Sequence, residues 1–117
     1  MNVLTARAKR VDNGEWVVGY PCQGIERLFM YETSKYFDYP VVVDPATLNY
    51  ATGKPDCHGE MIYGGMILKV GMFGGRVFLV LWSDTLMQWI LASRSGDPVV
   101  WLVDVNSSDL EIVKGGE

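Results

Sequence analysis

Residues 59–82 read G-E-M-I-Y-G-G-M-I-L-K-V-G-M-F-G-G-R-V-F-L-V-L-W. Two strongly apolar runs stand in this stretch, residues 66–70 and 76–82, each bounded by glycine. Short runs rich in β-branched and large aliphatic side chains, stopped by turn formers, read as strands. The glycine-rich segment 71–75 supplies the tight turn between them. The rhythm continues downstream. Residues 86–92, 99–105 and 110–113 are three more short apolar runs, separated by turn signals at 83–84, 93–98 and 106–109. Five short strands so closely spaced, with no helical stretch between them, read as a small barrel or sandwich, and five strands over about fifty residues is the scale of an SH3-like barrel. The expectation is a five-stranded SH3-like barrel over residues 59–117.

The alternation within these runs carries a second message. In residues 76–82 one face holds Arg76, Phe78, Val80 and Trp82, and the other holds Val77, Leu79 and Leu81. Both faces are apolar, and the same holds for residues 99–103, where Trp101 lies on one of them. A lone small barrel buries one face of each strand and wets the other, so strands like these must be covered twice. The cover is expected from the N-terminal half of the chain or from another copy. Tyr31, Tyr36, Phe37 and Tyr39 also need shelter. A monomer would then expose more apolar surface than soluble monomers usually do. A homo-oligomer is therefore expected, a dimer or a dimer of dimers.

Upstream, residues 3–11 alternate weakly, with Val3, Thr5 and Arg7 on one side. Asp12-Asn13-Gly14 is a hairpin signal, because Asn and Gly tolerate positive φ. Residues 15–20 form the return strand, with Trp16, Val18 and Tyr20 on one face. Residues 21–24 break the pattern. A strand is expected over 25–32, a loop over 33–40, a short strand over 41–43 stopped by Asp44-Pro45, and another over 47–52 through Leu48 and Tyr50. Residues 53–59 read as a long turn. The predicted fold is mostly β and a single domain, residues 1–117. An N-terminal hairpin and strands (1–58) pack on the C-terminal barrel (59–117).

Composition limits the partners. The chain is 49% hydrophobic and 21% charged, which places it among globular rather than disordered proteins. A net charge of −4 argues against wholesale phosphate binding, so nucleic acid is not an expected partner. The basic residues cluster once, as Arg7, Lys9 and Arg10, which reads as a solvated strand edge or as a local anion contact. Two cysteines, Cys22 and Cys57, make no disulfide framework and fit a reduced compartment. The first ten residues lack the apolar core of a signal peptide, and no run has the length of a spanning helix. The expected location is the cytoplasm, with no membrane contact.

The chemistry-bearing residues favour binding over catalysis. No nucleophile elbow, zinc-protease or phosphate-loop pattern occurs, and neither a catalytic residue nor a cofactor is expected. His58 sits beside Cys57 in a turn. Adjacent residues with no second pair rarely hold a metal, so no metal site is expected. A Cys–His nucleophile pair needs converging side chains, and neighbours in a turn usually diverge. Asp84, Asp97, Asp104 and Asp109 stand at strand ends, where turn duty is the default. Trp82, Trp89 and Trp101 come from three successive strands. Core packing is one reading of them; a groove or subunit interface is the other. Arg76 and Arg94 flank the same strands and fit a small anionic ligand held against those rings. Met66, Met72 and Met87 add adaptable apolar surface.

Two stretches carry a family resemblance. Residues 7–20 read R-A-K-R-V-D-N-G-E-W-V-V-G-Y, and residues 43–70 read V-D-P-A-T-L-N-Y-A-T-G-K-P-D-C-H-G-E-M-I-Y-G-G-M-I-L-K-V. Together they resemble the YopX proteins of bacteriophages and prophages. That family has a basic first strand, an N-G-E/K-W turn and G-Y, then V-D-P-x-T, Y-T-G and D-x-x-G-x-x-I-Y-E-G-D-I-V. The family's E-G-D is here Gly64-Gly65-Met66, so both acidic positions are lost, and its closing G-N-I and N-P-E-L are absent. The resemblance implies a phage origin and a β-rich fold, and brings no activity with it. By analogy of origin, the expectation is a non-enzymatic binding protein active in the infected bacterium. It would inhibit a host defence system by binding a host protein or by sequestering a nucleotide signal. The alternative is a nucleic-acid-binding regulator.

Overall fold

In the computed structural model, which describes residues 5–32, 40–93 and 98–114, the chain forms two units, Met1–Ala51 and Thr52–Glu117. Both are built from antiparallel strands. The helical segments among the described residues are three-residue 3-10 turns, and no helix is long and apolar enough to cross a membrane. The expected loop at 33–40 falls, apart from Pro40, outside the described residues, as do Val3, Tyr36, Phe37, Tyr39 and Asp97.

The first unit opens with the predicted hairpin. Strand β1 (Ala6–Lys9) pairs with β2 (Trp16–Gln23) in the register Ala6↔Gly19 to Lys9↔Trp16. Gly14, at φ +71°, makes the turn; its N–H donates to Arg10 O at 2.9 Å, and Arg10 N–H donates to Glu15 O at 2.8 Å. Strands β3 (Leu28–Glu32), β4 (Val41–Val43) and β5 (Asn49–Pro55) complete the order β4-β3-β2-β1-β5. Two boundaries differ from the expectation. Strand β2 does not stop at Pro21 but continues to Gln23, paired with β3. Among the described residues its pairing with β1 ends at Gly19, while its pairing with β3 runs on through Pro21↔Met30. Strand β3 starts only at Leu28, because Gly24 N–H donates to Arg27 O at 2.8 Å and closes a turn that leaves Ile25 fully exposed.

Strand β1 is interior, flanked by β2 and β5. Its alternation sends Ala6 and Ala8 into a core with Val17, Leu28, Met30 and Val43. Small residues suit β1 and Gly19 of β2 on that side. A Cβ on Gly19 would lie 1.9 Å from Tyr31 O, so the backbones of β2 and β3 meet there without room for a side chain. The predicted stop after β4 is a capped 3-10 turn, with Asp44 Oδ1 accepting from Ala46 N–H at 3.0 Å.

In the second unit β5 runs on to Pro55, so the turn is shorter than expected and occupies residues 56–59. Asp56 N–H donates to Glu60 O at 2.8 Å, and β6 (Met61–Tyr63) returns beside β5. All five predicted C-terminal runs contain strands: β7 (Ile67–Val70), β8 (Arg76–Ser83), β9 (Gln88–Ala92), β10 (Pro98–Trp101) and β11 (Leu110–Ile112). Leu86 and Met87 belong to the turn before β9, where Met87 takes φ +53°. Strand β10 stops at Trp101, and a 3-10 turn over Leu102–Asp104 follows. The sheet order is β10-β9-β8-β7-β11. The sheet is open: β10 and β11 are its edges and do not pair with each other, so the expected closed barrel is not formed.

Directly opposed residues share a face, so the register assigns both faces. One carries Leu68, Val70, Phe78, Val80, Leu91 and Leu110, all buried. The other carries Ile67, Val77, Leu79, Leu81, Ile90 and Trp101. The both-faces-apolar reading therefore holds. On this second face Ile90 is buried, whereas Val77 and Trp101 are each 41% exposed.

Candidate functional site

The three C-terminal tryptophans do not converge. Trp82 and Trp89 are directly opposed across β8 and β9 and pack edge-to-face, with centroids 5.3 Å apart at 71°. Trp82 is 44% exposed, and its Nε1–H donates to Asp84 Oδ1 at 2.9 Å. Asp84 thus orients an indole as well as standing in a turn. Trp101 pairs with Ile90, which also opposes Leu81. It therefore projects from the other face of the sheet. Only the first two rings can act together.

Arg76 stands at the opposite end of β8 from Trp82, roughly 20 Å away at about 3.3 Å per residue, too far for one small ligand to touch both. Arg94 lies outside the described residues. Among the described residues, a cation that the fold brings beside Trp89 is Lys54, which sequence reading missed. Thr52, Gly53, Lys54, Gln88, Trp89 and Leu102 line a cleft of about 360 Å3. Lys54 has no carboxylate within ion-pair distance among the described residues. A cleft with one ring wall, one free ammonium and the amide of Gln88 can hold a small planar anion. The spacing of Lys54 and Trp89 in the chain gives no hint of this, because the two meet only through the fold.

The first unit contains a larger cleft, about 730 Å3, lined in part by Arg10, Asp12, Glu26, Arg27 and Val41. Its charges are mixed. Arg10 is held by Asp12 through two bonds of 2.9 and 2.8 Å. That bond raises the Arg10 pKa and lowers that of Asp12. The basic cluster is accordingly no solvated strand edge. β1 is interior, Arg7 is buried, and its guanidinium lies 4.0 Å from the centre of the Trp16 ring. Lys9 Nζ lies 5.1 Å from the same ring. The register explains the stack, because Lys9 opposes Trp16 and Arg7 opposes Val18 on one face. These cations cover an indole rather than present themselves to phosphate.

A fully bonded carboxylate, Asp56, which is 4% exposed, anchors a further polar cluster. Its Oδ1 accepts from His58 N–H and Glu60 N–H, each at 2.9 Å, and its Oδ2 accepts from Ile112 N–H at 3.2 Å. Burial pushes its pKa up, but the three backbone donors prevail and hold the carboxyl below its ordinary range. Next to it Cys57 N–H donates to Leu110 O at 2.7 Å, which ties the turn to β11. Glu111 points outward between the buried Leu110 and Ile112, and its Oε2 lies 3.3 Å from His58 Nε2. Donor atoms of Cys57, His58 and Glu111 all lie within 4.8 Å of one another. The side chains of Cys57 and His58 thus converge, contrary to the expectation for turn neighbours. Partial desolvation, then the charges of Asp56 and Glu111, push the Cys57 thiol up. Both cysteines are free and exposed.

Comparison of the chain with protein-family models and with curated proteins returns no match.

Proposed function

We propose that the chain is a phage-encoded binding protein of the YopX kind that acts in the cytoplasm of the infected bacterium without catalysing a reaction. It engages a component of a host defence system, either a protein or a nucleotide signal. The observation that carries a binding role is the cleft beside the Trp82–Trp89 pair, with Lys54 at its wall. A half-buried ring, Trp89, braced by Trp82 and facing the same cleft as the Lys54 ammonium, suits a planar anion. The nucleotide reading is therefore preferred over a host protein at this cleft. The nucleic-acid alternative is disfavoured by the charge of −4 and by the use of Arg7 and Arg10 within the fold.

The half-exposed apolar face bearing Val77, Leu79, Leu81 and Trp101 supports self-association, as a dimer or a dimer of dimers. A specific interface of ordinary size takes about 800 Å2 from each partner. The finer reading of the five strands as an SH3-like barrel with a parted seam draws on the strand order, in which the last strand returns beside the first. Met66 stands where the resembled family carries an acid. Here it is 5% exposed, and its Sδ accepts from Tyr63 N–H at 3.4 Å. A family role of that acid would be absent from this chain.

The test is native mass spectrometry of the protein purified from bacterial lysate, joined to tryptophan fluorescence titrations with mono-, di- and cyclic nucleotides. The expected result is a retained or added nucleotide that quenches fluorescence, with loss of binding in Lys54→Ala. No retained molecule and no quenching by any nucleotide would overturn the nucleotide reading. A co-purified host protein alone would transfer the function to the protein-binding form.

A further inference from the structure

We propose that Cys57, His58 and Glu111 form a binding site for a zinc-class divalent cation, with the fourth coordination position open. One soft sulfur, one imidazole nitrogen and one carboxylate oxygen make a donor set that suits Zn2+ and not Mg2+ or Ca2+, which take oxygen. The three donor atoms lie within 4.8 Å of one another. Tetrahedral zinc with bonds of about 2.0–2.3 Å needs its donors roughly 3.3–3.8 Å apart. Closing the remaining gap, about 1 Å, requires only side-chain rotation. All three residues are exposed and free to make it.

The backbone beneath the donors is already in place, which distinguishes this cluster from a chance meeting of surface groups. Asp56 fixes the turn from inside by accepting from His58, Glu60 and Ile112. Cys57 N–H bonds to Leu110 O, so Cys57 and Glu111 are held beside each other through main chain. Strand β11 is in turn paired with β7 in the register Leu110↔Val70 to Ile112↔Leu68. Gly59, at φ +80°, ends the turn. The ligands come from a turn and a strand 53 residues apart in sequence, so a bound cation ties two distant segments together. The His58–Glu111 contact at 3.3 Å already orients the imidazole towards the carboxylate. Three protein donors leave the fourth position to water or to a donor from a partner.

The test uses the full chain, stripped with chelator under reducing conditions, and titrated with Zn2+ against a chromophoric competitor and separately with Co2+. The expected result is one metal per chain and a thiolate-to-cobalt charge-transfer band. That band should be lost in Cys57→Ser and kept in Cys22→Ser, since Cys22 is also free and exposed. His58→Ala and Glu111→Gln should each weaken Zn2+ binding by at least about tenfold, the loss that even outer-shell changes bring to metal sites. All four substitutions fall on exposed side chains, and circular dichroism checks that each variant is folded. Saturating Zn2+ should raise the melting temperature of the wild type and not of Cys57→Ser. Failure to bind stoichiometric metal, or binding unchanged by Cys57→Ser or Glu111→Gln, would overturn the site.

Discussion

Replacing Asp56 with alanine should destabilise the second unit more than any other single polar change there. The carboxylate serves three backbone donors at 2.9, 2.9 and 3.2 Å. His58 and Glu60 are exposed, so their N–H groups recover water once the carboxylate is gone. Ile112 is only 5% exposed, and its N–H is left without an acceptor. A buried donor left unmade costs about 1–3 kcal/mol, and the lost charge-assisted bonds of the turn add roughly 1 kcal/mol. The expected loss is about 2–4 kcal/mol. Urea denaturation followed by tryptophan fluorescence reads it well, because Trp82, Trp89 and Trp101 all belong to the second unit. With a slope of about 1–2 kcal/mol per molar for a domain of this size, the midpoint should fall by roughly 1–4 M. Asp56→Asn should be milder, since one amide oxygen can still accept from the turn while the NH2 faces another donor.

The same residue sets an acid dependence. Asp56 in the folded chain is held below its ordinary range, whereas the unfolded chain releases that proton near pH 3.9. A depressed carboxyl contributes stability that is complete above the unfolded value and disappears as pH falls through the folded one. The gap between wild type and Asp56→Ala should therefore stay constant from about pH 5 to 8 and narrow below about pH 4. A gap under about 0.5 kcal/mol at neutral pH, or one that does not narrow in acid, would refute the assignment of Asp56 as the anchor of this turn.

Gly14→Val should cost about 1 kcal/mol or more in thermal or chemical unfolding, because nothing crowds a Cβ there and the penalty comes from φ +71° alone. Gly19→Ala should cost about 3 kcal/mol, since its Cβ would meet Tyr31 O at 1.9 Å and β2 and β3 would have to part. An alanine variant of unchanged stability would contradict the register of that pair. Light scattering at micromolar concentration should give a multiple of the 13.1 kDa chain. Trp101→Glu, on an exposed position of the half-bare face, should give a folded single chain. A wild-type mass of one chain would remove the self-association.

The strands were legible where composition and turn chemistry agreed. Asp12-Asn13-Gly14 predicts a hairpin because positive φ is required there, and Gly14 takes it. The glycine-bounded runs of residues 66–70 and 76–82 became β7 and β8 for the same reason. The errors fall where pairing on one side overrides a local signal. Pro21 reads as a breaker, yet β2 passes through it, held by its ladder with β3. Gly53 reads as the start of a turn, yet β5 keeps it at φ +83° and continues to Pro55. Closure of the sheet could not be read at all. It depends on whether β10 and β11 come into register, and neither run contains a signal for that.

The candidate site was half legible for a related reason. Residue type singles out Trp82, Trp89 and Trp101 alike, and parity across three strands is needed to separate Trp101 from the other two. A bulge between Pro98 and Val100 alters that parity, and a bulge leaves no mark in composition. The metal-type cluster was invisible from the other direction. Cys57 and His58 stand side by side in the sequence, with no second pair of ligands to mark a site. The missing donor is a single glutamate on the last described strand, brought in by the Cys57–Leu110 and Asp56–Ile112 bonds. A surface glutamate in a strand of alternating burial looks like ordinary solvation, and Glu111 reads so until its neighbour is known. The informative residue in that region was instead Asp56. An aspartate followed at two and four residues by donors in a glycine-ended turn is a candidate to fold its carboxylate inward and accept from them. Once Asp56 is buried, the turn is fixed, and the side chains on either side of it are held in register with whatever strand supplies the third donor.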